Sequence, residues 1–187
     1  MGAKLISKKI NNTDSEIIVI HTDITILEVD AIVNATDKNF SGGGGVDEAI
    51  HAVAGGKLKE ECEKIGKCET GKAILTNAYK LPAKYVIHTV GPKYGSGDGK
   101  EDELLANCYK NSLRLAFEKN LASIAFPNIS TGVYRYPKEE AIEIAFSSVL
   151  GWLKKHNFYS FKKIYFVSFT EEDYGMNSFY FKELNIG

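Results

Sequence analysis

A three-layer α/β architecture, with helices on both faces of a mixed, mainly parallel central sheet, is predicted by three features of the 187-residue sequence. Strand-like runs alternate with helical ones through the middle of the chain, the pattern of successive β-α-β units. Those runs, AIVN from 31, KYVIHTV from 84 and SIAFPNI from 123, are apolar almost throughout, as strands covered on both sides are. By contrast, residues 3–10 and 16–21 are separated only by the turn cluster Asn11-Asn12-Thr13-Asp14 and read as a hairpin at one sheet edge. No linker, long low-complexity segment or internal repeat interrupts residues 1–187, so a single domain is expected.

After the hairpin, Thr22-Asp23-Ile24-Thr25 is a polar step off a strand end, where α/β folds place ligands; Asp23 reads first as the cap of a short turn. Ala31 to Asn34 form a short buried strand, and a helix begins near Val46. Its apolar face is read as Val46, Ala49, Ile50 and Val53, with Asp47 and His51, four apart, neighbouring each other on a different face. Gly55-Gly56 end that helix, and a second follows over 57–65 with Leu58, Cys62 and Ile65 on one side. Residues 73–79 and 84–90 are strands, with His88 a core histidine, and Gly91 to Gly99 form a mobile surface loop. A helix over 103–119 has a stripe of Leu105, Cys108, Tyr109, Ser112, Leu113, Ala116 and Phe117. Strand 123–129 leads into a second small-residue loop, Ser130 to Tyr134. Pro137 opens the next helix, whose buried face is Ile142, Ala145, Phe146, Val149 and Leu153. Residues 162–169 are the last strand, and the tail from Tyr174 reads as aromatic and less regular.

Composition narrows the function. A formal net charge of −1 gives no polybasic face, so no nucleic-acid partner is expected. Cys62, Cys68 and Cys108 form no CxxC pair or zinc spacing, and their odd number argues against a disulfide framework; a cytoplasmic location is expected, with no metal site. No stretch approaches a membrane span, and no membrane partner is expected.

The chemistry concentrates at residues 34–56, NATDKNFSGGGGVDEAIHAVAGG. Four consecutive glycines, Gly42 to Gly45, leave bare backbone that can approach a ligand closely, at an entropic cost a structural turn rarely needs. The helix they feed presents unpaired N–H groups and its positive dipole end, which suits a phosphate or diphosphate. A Walker loop is excluded because Val46-Asp47, not Lys-Ser/Thr, follows Gly45. An ordinary dinucleotide fingerprint is unlike this stretch too, since its third glycine falls on Asp47. Asp47, in the first helical turn, is placed to accept a ribose hydroxyl or take a proton from water, and His51 to orient it.

Taken together, Asp23-Ile24-Thr25, VDAIVNA (29–35), GGGGVDEAIH (42–51), LPAKYVIHTVGP (81–92) and AFPNISTGVYRYP (125–137) resemble a macrodomain of the MacroD type, over about residues 16 to 170. The resemblance implies a monomeric ADP-ribose-binding hydrolase without metal or cofactor. Its partners would be ADP-ribose and ADP-ribosylated proteins, and it would cleave the ester joining ADP-ribose to Asp or Glu side chains or deacetylate O-acetyl-ADP-ribose. It implies that Asp23 accepts from the adenine amino group, with Ile24 adding a backbone contact and Phe169 an aromatic one. Gly43, Gly44, Gly45 and Val46, facing Ser130, Thr131, Gly132, Val133 and Tyr134, would wrap the diphosphate, with Tyr134 near the distal ribose. Asn34 belongs to the binding set. Asp47 and His51 match the catalytic pair, Asp47 as base or water-orienting group and His51 as its support.

Two positions depart from the family's usual Asn-Ala-Ala-Asn, since the chain has Asn34-Ala35-Thr36-Asp37. Asp37, at a catalytic position, can only accept where asparagine also donates. It is expected to weaken binding or raise one carboxylate's pKa, giving a slower hydrolase or, as the alternative, a reader of ADP-ribose with little turnover. Arg135, where glycine is common, would offset the charge if it pointed inward.

Overall fold

The computed structural model describes residues 4–96, 99–156 and 161–186. Among the described residues, seven strands form one sheet: β1 (Lys4–Lys9), β2 (Glu16–His21), β3 (Ala31–Ala35), β4 (Ala73–Asn77), β5 (Tyr85–Thr89), β6 (Ser123–Phe126) and β7 (Lys163–Ser168). Their spatial order is β1-β2-β7-β6-β3-β5-β4. The five central strands run parallel, and the edge strands β1 and β4 are antiparallel to their neighbours. The sheet is therefore mixed with a parallel centre. The Gly91–Gly99 loop expectation falls partly on residues 97 and 98, and the first strand's on residue 3, all outside the described residues.

Strand side chains alternate between two cores, as a pleated sheet requires. Ile17, Val19, Val33, Ile87, Phe126 and Phe166 face α3 (Glu101–Glu118), α4 (Lys138–Lys155) and α5 (Glu171–Glu183), which bury Leu105, Leu113, Phe146, Val149 and Phe181. Ile18, Ile20, Ile32, Val86 and Val167 face α1 (Gly45–Ala54) and α2 (Gly56–Ile65), which bury Ile50, Ala54, Leu58 and Cys62. Helices thus cover both faces.

Three sequence expectations shift. On α1 the buried residues are Asp47, Ile50 and Ala54, while Val53 is exposed and Val46 and Ala49 are half-buried. Asp47 thus faces inward, because hydrogen-bond partners wait for it there. Ile65 and Phe117 also end on the exposed side of their helices, at 37% and 42% exposure. The tail from Tyr174 as far as Glu183 lies in α5, capped by Thr170, whose hydroxyl accepts from Asp173 N–H at 3.1 Å. At the other end of α5, Lys8 Nζ donates to the carbonyls of Phe181, Lys182 and Leu184 at 2.7–2.8 Å, supplying partners for the helix's unpaired acceptors.

The ends of the central strands are treated differently. At the amino ends, Asp30 Oδ2 accepts from the backbone of Ala122 and Ser123, Ser123 Oγ accepts from Asp30 N–H, and Lys84 pairs with Asp30 Oδ1 at 2.6 Å. At the carboxyl ends the same strands part. β3 and β6 are in register only at Ala31↔Ile124 and Ile32↔Ala125, and from there the chain leaves β3 toward α1 on one face and β6 toward α4 on the other. Such a switch point opens a crevice.

Candidate functional site

That crevice is a cleft of about 480 Å³, in the size range of small-ligand sites. It is lined by the loops leaving five parallel strands: Thr22 to Ile24, Ala35 to Asp37 with Gly43 to Asp47, Gly91, Pro127 and Asn128 with Ser130 to Tyr134, and Phe169 with Thr170. Of the residues expected at a site, Asp23, Ile24, Asp37, Gly43, Gly44, Gly45, Val46, Asp47, Ser130, Thr131, Gly132, Val133, Tyr134 and Phe169 meet here. Asn34 and His51 do not line it; they stand behind Asp47.

At one end, Asp23 both caps and presents. Its Oδ1 accepts from Thr25 N–H and Thr25 Oγ1, each at 2.8 Å, while Oδ2 takes part in no hydrogen bond among the described residues. Phe169 lies 76% exposed on the same cleft, an aromatic face available for a planar ring. In the middle, Gly42, Gly44 and Gly45 have φ of 70°, 97° and 61°, conformations open to glycine at little cost. Among the described residues no side chain caps α1, so its first-turn N–H groups remain for a ligand in the cleft. Opposite, Ser130 is held at φ 67° and begins the second loop.

Asp47 forms the far wall, 4% exposed. Asn34 Nδ2 donates to its Oδ1 at 2.7 Å and Thr36 Oγ1 donates to its Oδ2 at 2.9 Å. His51 Nε2 lies 3.4 Å from Oδ1, within ion-pair reach, yet is buried without a hydrogen-bond partner among the described residues. The groups that orient Asp47 are therefore Asn34 and Thr36 rather than His51, which packs under Gly42. Thr36 was not legible as a site residue; the only signal was its place two residues beyond Asn34 at a strand end.

His51, Cys62 and His88 bring three potential ligand atoms within 4.8 Å of one another. The tautomer of His88 opposes a metal there. Asn34 Nδ2, which only donates, faces His88 Nδ1 at 3.1 Å, so the ring proton sits on Nε2 beside Thr76 Oγ1 at 3.0 Å. Ligation through Nε2 would set two donors against each other. Burial, and then His51, push the His88 pKa down to about 3, and burial pushes the Cys62 thiol up to about 11, helped by Asp47, Glu61 and Glu63. Both groups are neutral core polars at pH 7.

Asp37 differs from expectation in its electrostatics. Burial would raise its pKa, but the Ser41 hydroxyl and the N–H groups of Asn39, Ser41 and Phe40 outweigh that and hold it below the usual carboxylate range. Oδ1 accepts from Asn39 N–H at 2.7 Å and Ser41 N–H at 3.3 Å, and Oδ2 accepts from Ser41 Oγ. Asp37 thereby shapes the turn that buries Phe40, at φ 55°, against His88. Arg135 is exposed and absent from the lining, so it does not offset this charge. The cations near this end are Lys93, with Nζ 5.4 Å from the Tyr134 ring centre, and Lys38. Burial, with Asp37 and Asp47, raises the Tyr134 pKa against the pull of Lys38.

Comparison with known proteins points to one family. A family model described as Macro domain matches residues 33–145. The chain is 52% identical over 158 residues to the O-acetyl-ADP-ribose deacetylase of Klebsiella pneumoniae, covering 82% of this chain and 89% of that one. It is 51% identical over 164 residues to the ADP-ribose glycohydrolase MACROD2 of Homo sapiens, covering 87% of this chain and 38% of that longer protein. The Oceanobacillus iheyensis macrodomain with ADP superposes with a TM-score of 0.91 at 37% identity, covering 97% of both chains. The Trypanosoma brucei macrodomain in complex with ADP-ribose does so at 0.83 and 40%, covering 88% of this chain and 68% of that one.

Proposed function

The chain belongs to the Macro domain family, and on that premise we propose that it is an ADP-ribosyl-ester hydrolase. It binds ADP-ribose, removes mono-ADP-ribose from Asp and Glu side chains of proteins and deacetylates O-acetyl-ADP-ribose. The observation that supports this best is the buried Asp47 carboxylate at the wall of a cleft whose floor is the uncapped, glycine-fed start of α1. The diphosphate sits between the N–H groups of Gly43 to Val46 and the Ser130 to Tyr134 loop. Adenine lies toward Asp23, Ile24 and Phe169, and the distal ribose reaches Asp47 and Tyr134. In both reactions water cleaves a ribosyl ester to a carboxylate and a ribose hydroxyl with net release of one proton, and Asp47 is the acceptor at the cleft wall for the proton that the attacking water sheds.

Calorimetric titration with ADP-ribose, paired with release of ADP-ribose from a glutamate-modified protein, tests the reading. Binding with release is expected. Binding without release would make the protein a reader, and no binding would overturn the cleft assignment.

Asp37→Asn is expected to speed release by roughly threefold and tighten ADP-ribose binding to a similar extent, the worth of one partly screened charge beside a diphosphate. Asparagine keeps an Oδ1 for the Asn39 and Ser41 N–H groups, so the turn survives. Turnover equal to or below that of the wild type would sink this account of Asp37.

A further inference from the structure

Through its hydroxyl, residue 36 reaches the carboxylate that takes the water's proton in the hydrolase reading. We propose that Thr36 is a positioning residue of the hydrolysis: with Asn34, its hydroxyl locks the Asp47 carboxylate about its Cβ–Cγ bond so that the remaining lone pairs face the cleft. The inference rests on the hydrolase reading given above.

The last torsion of an aspartate is soft and roughly two-fold, so one hydrogen bond at one oxygen leaves the carboxylate free to swing. Asn34 pins Oδ1 alone. On that same oxygen's side stands His51 Nε2, 3.4 Å away and without a hydrogen-bond partner among the described residues, which as a donor would draw the group aside. Thr36 Oγ1, 2.9 Å from Oδ2, supplies the second point that fixes the plane.

Asn34 is delivered by the sheet, and Thr36 by the first residue beyond β3, whose backbone the ladder still holds. Asn34 lies in β3, in register with His88 of β5, and His88 Nδ1 accepts from the same amide that donates to Asp47. Two residues on, the side chain of Thr36 returns to the same side, as strand alternation dictates. Its backbone N–H extends the ladder to Thr89 O at 3.0 Å. A β-branched side chain on a fixed backbone has little χ1 freedom, so the hydroxyl is held where it is needed. Thr36 and Asp47 are each 4% exposed, and in so dry a place a hydrogen bond to a carboxylate is stronger than in water. Asp37, the next residue, spends its oxygens on Asn39 and Ser41, so the aiming of Asp47 falls to Asn34 and Thr36.

The test compares Thr36→Val, Thr36→Ala and Thr36→Ser with wild type, reading kcat for release of ADP-ribose from a glutamate-modified protein, the calorimetric Kd for ADP-ribose and the melting temperature. Because misaiming a reacting group costs up to about a hundredfold, Thr36→Val and Thr36→Ala are expected to lose about ten- to a hundredfold in kcat with Kd within about twofold. Thr36→Ser, which restores the donor, is expected within about threefold of wild type. Unchanged kcat in the two hydroxyl-free variants, a Kd that weakens in step with kcat, or a serine variant as slow as the valine one would each overturn the proposal. Wild-type protein that binds ADP-ribose and releases none would instead remove the hydrolase reading beneath it, a result visible before any variant is made. Two hydroxyl-free variants of different size keep the result readable if one of them fails to fold.

Discussion

Asp47→Asn is expected to leave the fold and ADP-ribose binding in place and to cut ADP-ribose release by roughly 10²- to 10⁴-fold, the usual worth of a positioned general base. The substitution is nearly isosteric, and the hydrogen-bond pattern around it survives. The new amide oxygen takes the bond from Asn34 Nδ2, and the new amide nitrogen donates to Thr36 Oγ1, which is able to accept as well as donate. No buried partner is orphaned, so the melting temperature should stay close to that of wild type. Asp47→Ala is a poorer probe, since it strips partners from two buried groups at about 1–3 kcal/mol each. Because an amide is not a base, release falls while binding, made mostly by backbone groups of two loops, does not. Release by Asp47→Asn within threefold of wild type would show that the proton is taken elsewhere.

How much of this was legible in the sequence depends on whether polar side chains follow the hydrophobic pattern. The sheet, its hairpin edge and α3 and α4 were legible, because their apolar residues recur at the spacing each element demands. The glycine-fed cleft was legible too, since four adjacent glycines have few structural reasons to exist. The inward turn of Asp47 was not. Periodicity sends a carboxylate to solvent, and what reverses it is a set of partners, Asn34 and Thr36, that lie 13 and 11 residues earlier on a different element. The last helix escaped for the same reason. Its buried residues are Asn177, Ser178 and Phe181, and Asn177 is satisfied by Asn128, Ser168 and Asp173, so no apolar stripe marks it. Thr170 with Asp173 three residues on is a capping pattern that was available and unread. Asp37 shows the converse: its charge was legible, but the partners that hold that charge ionised and give it a part in the loop, Asn39 and Ser41, were not.

Gly91→Ala is expected to damage both stability and binding, although Gly91 donates no side chain to anything. Its φ is not positive, so conformational freedom does not explain it; space does. A Cβ there would overlap Ser130 Oγ and fall 2.9 Å from Ile129 Cγ2, where Ile129 is fully buried and Ser130 begins the second cleft loop. The Ser130 hydroxyl, without a hydrogen-bond partner among the described residues, can rotate away, but its Cβ, 3.3 Å from the added carbon, moves only with the backbone. Overpacking of this kind costs about 1–3 kcal/mol, which for a domain of this size lowers the melting temperature by roughly 3–10 °C. The displaced segment is the one opposite the start of α1, so ADP-ribose affinity should fall at least about tenfold as the two loops lose their spacing. Gly132→Ala in the same loop is the matching control: its added Cβ meets nothing within 4 Å and its φ is not positive, so its melting temperature should stay within about a degree of wild type. Equal melting temperatures for the two variants would mean that the close approach of the β5 and β6 loops does not set the width of the cleft. A low melting temperature for Gly91→Ala with unchanged affinity would mean that the loop relaxes away from the ligand rather than toward it.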